Sequence, residues 1–233
     1  MRKLLMASAM VLAIGIGQAQ AVPYTVTSAV GGAPTGVTLV NLDTLGLGGG
    51  GGTQGGVTFS FGSDAQVVIG PSSGLYAPPD LSGGNGAGFG SPNQPDGVDL
   101  TKYITSGSTG SFATAQATLT FPGVEKYFGL LWGSVDLFNT LTFSKGGIDQ
   151  FAVTGGVVNA LATGDQGPGG TFYVNISDSG AGFDKVVATS SEHAFEFDNI
   201  AYNPQVPVPV PEPASMLLLG TGLLGLARRR ARR

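Results

Sequence analysis

Short segments of β-forming residues recur along residues 37–202, and glycine-rich turns separate them. Several segments alternate between apolar and polar residues, as in residues 117–121, which gives a strand one buried and one solvent-exposed face. No sustained helical period occurs between residues 22 and 204. The pattern predicts an all-β domain, an antiparallel β-sandwich of jelly-roll-like type. The predicted strands are residues 37–42, 57–61, 65–69, 115–121, 127–135, 139–143, 150–154, 171–176, 185–189 and 195–202.

Two glycine-containing stretches predict local structure. The chain has forty glycines, and residues 48–52 form an unbroken glycine run. Ordering such a run has a high entropic cost, so we expect a flexible loop there. Residues 144–147 separate two apolar segments and predict a four-residue hairpin turn.

The segment 127–132 is apolar at both strand parities, which indicates a central strand of the sandwich. Trp132, the only tryptophan, has two interpretations. We expect it in the core with Phe121, Phe143 and Phe197, because a large aromatic side chain among apolar neighbours usually packs inside. The alternative is a glycan-binding role, in which the indole ring stacks on a sugar.

The last predicted strand breaks its own alternation. Phe195 and Phe197 share one parity, whereas Ile200 and Tyr202 share the other. A β-bulge at residues 198–199 would absorb the extra residue and let both pairs face the core.

Asp198 lies at this predicted bulge. The strand resembles the terminal strands of carbohydrate-binding jelly rolls, where a similar aspartate contributes to a structural calcium site, and this resemblance implies Asp198 as a calcium ligand. Asp96 and Asp99 form a second acidic cluster in a long loop, and calcium prefers such oxygen ligands, although the full calcium-loop motif is missing. The alternative is that all these side chains only satisfy backbone groups at a bulge and a turn.

Both ends of the chain carry targeting features. Two basic residues, an apolar run and then Ala19 and Ala21 predict a secretory signal peptide over residues 1–21, which signal peptidase removes after Ala21. The exported all-β domain is then residues 22–204, followed by a proline-rich linker at 205–215.

A short apolar segment and a basic tail end the chain. We predict a transmembrane helix at residues 216–227, which is shorter than the ~20 residues that usually span a bilayer and is therefore a temporary anchor. Residues 228–233 form an arginine-rich cytoplasmic tail, because a basic cluster resists translocation. Its first membrane-stop residues are Arg228, Arg229 and Arg230.

Charge and composition limit the partners. Residues 22–204 contain fourteen acidic residues, four lysines and no arginine, which gives a net charge of −10. Such a surface repels phosphate backbones and predicts no nucleic-acid partner, whereas cations and neutral glycans suit it. The chain has no cysteine, which excludes disulfides, thiolate zinc sites and thiol nucleophiles.

The motif Pro211, Glu212 and Pro213, followed by an apolar segment and an arginine cluster, resembles a PEP-CTERM sorting signal. The resemblance implies transient residence in the inner membrane and processing by an exosortase, a membrane-embedded transpeptidase-like enzyme. It also implies release to the cell surface, the outer membrane or the extracellular matrix. The two prolines hold the motif extended just outside the bilayer, where a membrane enzyme can reach it.

Residues 81–90, 127–143 and 195–202 are also similar to segments of exosortase-dependent surface proteins. We therefore predict a non-enzymatic surface or matrix protein associated with exopolysaccharide or biofilm. The alternative is a polysaccharide-acting secreted enzyme, because the carboxyl pair of a glycosidase is set by spatial separation. A serine triad lacks support, since His193 is the only histidine and no G-x-S-x-G motif surrounds the neighbouring serines.

Overall fold

The computed structural model describes residues 23–29, 31–90, 94–108 and 115–207. In these residues two antiparallel β-sheets pack against each other, which confirms the predicted all-β sandwich. Helix in the same ranges is limited to one turn, α1 (Gly155–Val158).

The larger sheet has seven strands. In spatial order it runs β1 (Tyr24–Ala29), β13 (Phe172–Asp178), β10 (Tyr127–Gly133), β15 (Phe195–Asn203), β8 (Tyr103–Ser106) and β5 (Ala65–Val68), and β2 (Thr38–Val40) also pairs with β15. One edge of β15 is shared, because β8 pairs with residues 195–197 and β2 with residues 200–202. Residues 198–199 lie between these two pairings, so the edge of β15 has a gap there.

The smaller sheet has six strands, and a two-stranded ribbon pairs with neither sheet. The six strands are β12 (Ile148–Thr154), β11 (Asn139–Lys145), β14 (Phe183–Ser190), β9 (Gln116–Glu125), β4 (Val57–Phe61) and β3 (Gly52–Gln54). The ribbon pairs β6 (Asp80–Leu81) with β7 (Gly97–Val98).

An aromatic-rich core fills the space between the two sheets. Phe121, Trp132, Phe143 and Phe197 all belong to it, as predicted. Phe128 meets Phe121 and Phe143 edge-to-face, with ring centroids 5.9 and 5.7 Å apart. Such pairs add about 0.5–1.5 kcal/mol each to the free energy of burial.

A second apolar cluster covers the outer face of the larger sheet. Here the long connection between β5 and β8, which we call the capping segment (residues 70–90 and 94–101), crosses the sheet. Its Leu81 and Phe89 pack on Tyr173 and Leu131. Both faces of β10 are therefore covered and every one of its residues is buried, which confirms its central position.

Two local predictions were wrong. Gly48 exchanges two backbone hydrogen bonds with Val67, at 2.9 and 3.1 Å, and Gly52 begins β3, so the glycine run is held by sheet pairing rather than forming a free loop. The hairpin turn between β11 and β12 contains two residues rather than four. Gly146 and Gly147 adopt φ angles of 57° and 82°, which suit a tight turn matched to the strand twist.

Candidate functional site

The bulge predicted in the last strand is present. Between the pairs that Asp198 and Ala201 form with β10, β15 contains one more residue than β10. Asn199 takes up the difference with a φ of 51°, in the left-handed region that asparagine tolerates better than most residues. Phe197 and Ile200 consequently both face the inner core, and Asp198 points to the capping segment.

The bulge brings Asp198 against Asp99, the last acidic residue of the capping segment. Asp198 is 0% exposed and Asp99 is 1% exposed. Thr101 Oγ1 lies 2.5 Å from Asp99 Oδ1 and 3.4 Å from Asp198 Oδ2, so the two carboxyl groups are neighbours. Burial raises the pKa of Asp198 well above its ordinary value and the carboxylate of Asp99 raises it further, while hydrogen bonds from the Asn199 backbone and Gln94 offset only part of the effect.

Polar side chains surround this carboxyl pair, which we define as Asp99 and Asp198. The hydroxyl of Thr101 donates to Asp99 Oδ1 at 2.5 Å, and the Thr101 backbone N–H donates to the same oxygen at 2.8 Å. Gln94 donates to Thr101 Oγ1 at 2.7 Å and to Asp198 Oδ2 at 3.4 Å, and it accepts from the Asn199 amide. The pair is thus embedded in a buried network of hydroxyl and amide groups.

Three buried oxygens of this network have no hydrogen-bond partner in the part of the chain that the structure describes. They are Asp99 Oδ2, Asp198 Oδ1 and Asn199 Oδ1. Lys102 follows the network in sequence, but its ammonium donates to the carbonyl oxygens of Asp43 and Leu45, at 2.9 and 2.6 Å. Its contacts therefore lie with backbone carbonyls rather than with the carboxyl pair.

Asp96 lies outside this network, so the structure divides the predicted acidic cluster of Asp96 and Asp99. Its exposed carboxylate accepts hydrogen bonds from the backbone N–H groups of Gly83 and Gly84, at 3.1 and 3.2 Å. It therefore holds a glycine turn within the capping segment, which was the alternative interpretation. In the described ranges no three histidine, cysteine or acidic side chains converge on one point.

Glu196 is a buried acid that the sequence analysis missed. It is 1% exposed and accepts hydrogen bonds from the Ser134 hydroxyl and, at 3.0 Å, from the Ala77 backbone N–H. Burial raises its pKa to about 7. Glu196 and Asp198 are two residues apart in one strand, so their side chains point to the same face of the sheet. From this spacing the sequence could have predicted that both side chains lie beneath the capping segment.

Trp132 is 0% exposed and stacks on Phe195, with ring centroids 4.4 Å apart. Core residues cover the face of the indole ring, so Trp132 cannot stack on a sugar in this structure. The reason is its strand parity, which directs the side chain between the two sheets.

An open groove lies on the outer face of the larger sheet, beside β1, β13 and β10. Its volume is about 580 Å³. Uncharged residues line it, among them Thr25, Thr27 and Ser177. The Asn175 amide also faces the groove, and its oxygen accepts a hydrogen bond from the Tyr127 hydroxyl at 2.7 Å, which fixes the orientation of the amide.

The predicted targeting elements lie outside the described residues. These are the signal peptide with Ala19 and Ala21, the motif Pro211, Glu212 and Pro213, the helix at 216–227, and the stop residues Arg228, Arg229 and Arg230. Within the described ranges, no helix has the length and apolar character needed to cross a membrane.

Comparison with known families identifies the C-terminal segment. Residues 209–233 match the model of the PEP-CTERM protein-sorting motif. No curated protein is significantly similar to the chain. The family match confirms the predicted sorting signal, and with it export and exosortase-dependent sorting toward the cell surface.

Proposed function

Because the chain carries a PEP-CTERM protein-sorting motif, we propose that its β-sandwich is a non-enzymatic, polysaccharide-binding domain of the cell surface or extracellular matrix. Signal peptidase and an exosortase process its two ends. Exopolysaccharide in a biofilm is its ligand. The sorting tail supports the location, and the groove on the larger sheet supports the ligand.

The uncharged groove is the observation that carries the proposed ligand. The predicted domain has a net charge of −10, yet none of the described residues that line this groove is charged. Hydroxyl and amide groups that converge in a concave site are suited to hydrogen bonding with neutral sugars. Thr25 and Thr27 are exposed on β1, so their hydroxyls are available to a long chain passing over the sheet.

Binding can be tested with the purified full chain and the exopolysaccharide of the bacterium that produces the protein. Thr25→Ala with Thr27→Ala removes two groove hydroxyls, and Thr53→Ala with Thr58→Ala removes two exposed hydroxyls from the smaller sheet as a matched control. Each hydrogen bond is worth ~1 kcal/mol, so we expect affinity to fall roughly tenfold or more in the groove variant. Equal affinity for both variants, or no retention of the wild type, would contradict the proposal.

A polysaccharide-acting enzyme remains the alternative function, and one pair of acids is its best candidate site. A glycosidase needs two carboxyl groups that the substrate can reach. The carboxyl pair and Glu196 are too deeply buried. Asp136 is less deeply buried than these acids, at 9% exposure; burial raises its pKa to about 6, and the carboxylate of Glu192 raises it further.

The same incubation separates the two functions. Retention of the polysaccharide without chain shortening supports binding. Shortening that disappears in both Asp136→Asn and Glu192→Gln, but persists in Asp165→Asn, would identify the domain as an enzyme and overturn the proposal.

A further inference from the structure

The floor of the groove on the larger sheet is a grid of side chains from adjacent strands. Thr25 of β1 pairs with Ser177 of β13, and Thr27 pairs with Asn175. On the other side of β13, Asn175 pairs with Gly129 of β10. Alternate residues of a strand share one face, so these hydroxyl and amide groups lie together on the outer face of the sheet.

The Asn175 amide is held in one orientation. The Tyr127 hydroxyl donates to its oxygen at 2.7 Å, so the oxygen points to Tyr127 and the nitrogen points away from it. Among the described residues, this nitrogen donates to no protein group, and it is not buried. An amide nitrogen carries two hydrogens, so Asn175 presents N–H donors to the groove.

The groove offers no exposed aromatic ring among its described residues. Tyr127 is the aromatic residue in that lining, and it is only 1% exposed. Its hydroxyl lies over Gly129, where a Cβ atom would be 2.8 Å from the Tyr173 hydroxyl oxygen and closer still to that of Tyr127. Tyr127 therefore orients Asn175 but cannot stack its ring on a sugar.

Small apolar side chains form the walls of the groove. Ala33 and Pro34 line it from the segment after β1, and Val206 and Pro207 line it from the segment after β15. Val206 is 43% exposed, and the other three are half-buried. Sugar hydroxyls placed against these walls would lose hydration without gaining a partner, whereas a methyl group would gain from its burial.

We propose that the groove selects sugars that carry acetyl groups. An acetyl group combines a carbonyl oxygen, which accepts from the Asn175 N–H, with a methyl group, which packs against the apolar walls. It is uncharged as an amide and as an ester, which matches the uncharged lining. This inference rests on the proposed function, because it names the class of sugar that the polysaccharide-binding groove recognises.

Two pairs of probes test the preference on the purified full chain by isothermal titration. The hexamer of β-1,4-linked N-acetylglucosamine is compared with the hexamer of β-1,4-linked glucose, which has the same linkage without the acetyl group. An O-acetylated glucomannan is compared with the same polymer after mild alkali, which removes the esters.

We expect the acetylated member to bind roughly tenfold more tightly, because a hydrogen bond and a buried methyl group both contribute. A preference in one pair alone identifies the N-acetyl or the O-acetyl form as the ligand. Equal affinities within both pairs would overturn the proposal.

Two variants and one control locate the effect. Asn175→Asp keeps the oxygen that accepts from Tyr127 but replaces the donor nitrogen, so it should abolish the preference. Tyr127→Phe removes only the hydroxyl that orients the amide and should reduce the preference. Asn159→Asp adds the same charge outside the groove, keeps the oxygen that accepts from the Leu161 N–H at 3.0 Å, and should retain the preference.

The measured quantity is the ratio of two affinities for the same variant, so a general loss of binding or of stability does not imitate the expected result. A wild-type ratio in either groove variant would overturn the proposal. Retention of exopolysaccharide that depends on Thr25 and Thr27, with no acetyl preference, would overturn this inference and leave the proposed function in place. A clear acetyl preference without retention of the exopolysaccharide would support this inference and contradict the proposed ligand.

Discussion

Phe197 and Asp198 are adjacent in β15, yet their surroundings differ completely. Phe197 enters the aromatic core between the sheets, where it contacts Phe195 with ring centroids 5.3 Å apart. Asp198 points the other way into the buried polar network. A strand sends successive side chains to opposite faces, so one residue stabilises the sandwich while the next is available for the site.

Truncation of the core residue tests this assignment. Phe197→Ala should lower the free energy of unfolding by about 3–5 kcal/mol, because it removes a fully buried ring and leaves a cavity. Phe197→Leu should cost less, since most of the volume is kept. Urea denaturation followed by circular dichroism measures both changes. A loss below ~1 kcal/mol for the alanine variant would mean that Phe197 is not in the core.

Asp136 should make stability depend on pH. Its folded-state pKa of about 6 exceeds the ordinary value of 3.8, mainly through burial and then through Glu192. Its contribution to stability is therefore fully present below about pH 4 and is lost as the pH rises through about 6. Burial is the main cause of the raised pKa of Glu196, and the carboxylate of Asp136 adds to it.

Asp136→Asn should remove this part of the pH dependence and stabilise the protein at pH 7. The urea midpoint measured between pH 4 and pH 8 gives the slope for each variant. Asp165→Asn, which replaces an exposed acid, should keep the wild-type slope. An unchanged slope in Asp136→Asn would contradict the raised pKa.

At the scale of elements, the bulge in β15 decides the register of the final strand. The extra residue at Asn199 lets residues on both parities reach the inner core. Without it, a one-residue slip would turn Ile200 and Tyr202 toward the outer face.

A pair of substitutions isolates the backbone cost of the bulge. Asn199→Gly and Asn199→Val both remove the amide, but glycine accepts the φ of 51° whereas a β-branched residue does not. We expect the valine variant to unfold at least 1–2 kcal/mol more easily than the glycine variant. Equal stabilities in chemical denaturation would show that the left-handed conformation at residue 199 is not required.

The sequence predicted those strands whose pattern of apolar and polar residues can be recognised within a short stretch of chain. The ten predicted strands all correspond to observed strands, most with ends shifted by a few residues, and the parity break correctly located the bulge. Alternation gave no signal for β8, which is buried at every position, and β3 is only three residues long and begins with glycine. β1 was not among the predicted strands, although its Thr-Val-Thr sequence alternates; it follows directly after the predicted signal peptide.

Only part of the candidate site could be predicted from the sequence, because the rest depends on long-range contacts. Asp198 could be identified from the bulge, and Asp99 was one of two acidic candidates in a loop. The choice between Asp99 and Asp96 depends on how the capping segment crosses the sheet, which is a long-range contact that no local pattern encodes. Gln94 and Thr101 became visible only through these contacts.

At the scale of the whole molecule, the chain combines a stable exported sandwich with a sorting tail at residues 209–233. Replacement of Pro211, Glu212 and Pro213 by alanine should leave the protein in the inner membrane, because the exosortase loses its motif. Cell fractionation and immunoblotting measure this distribution. Replacement of Pro207 by alanine, two residues before the matched motif, should leave sorting unchanged. Normal surface arrival of the triple variant would contradict the role of the motif.

The C-terminus of the protein recovered from the surface or matrix tests the central claim most directly. Intact mass spectrometry, with sequencing of the C-terminal peptide, identifies the last residue. We expect a chain that begins at Val22 and ends near the Pro211, Glu212 and Pro213 motif, without the apolar segment and the arginines. A surface protein that still ends at Arg233 would contradict exosortase processing and the account of sorting built on it.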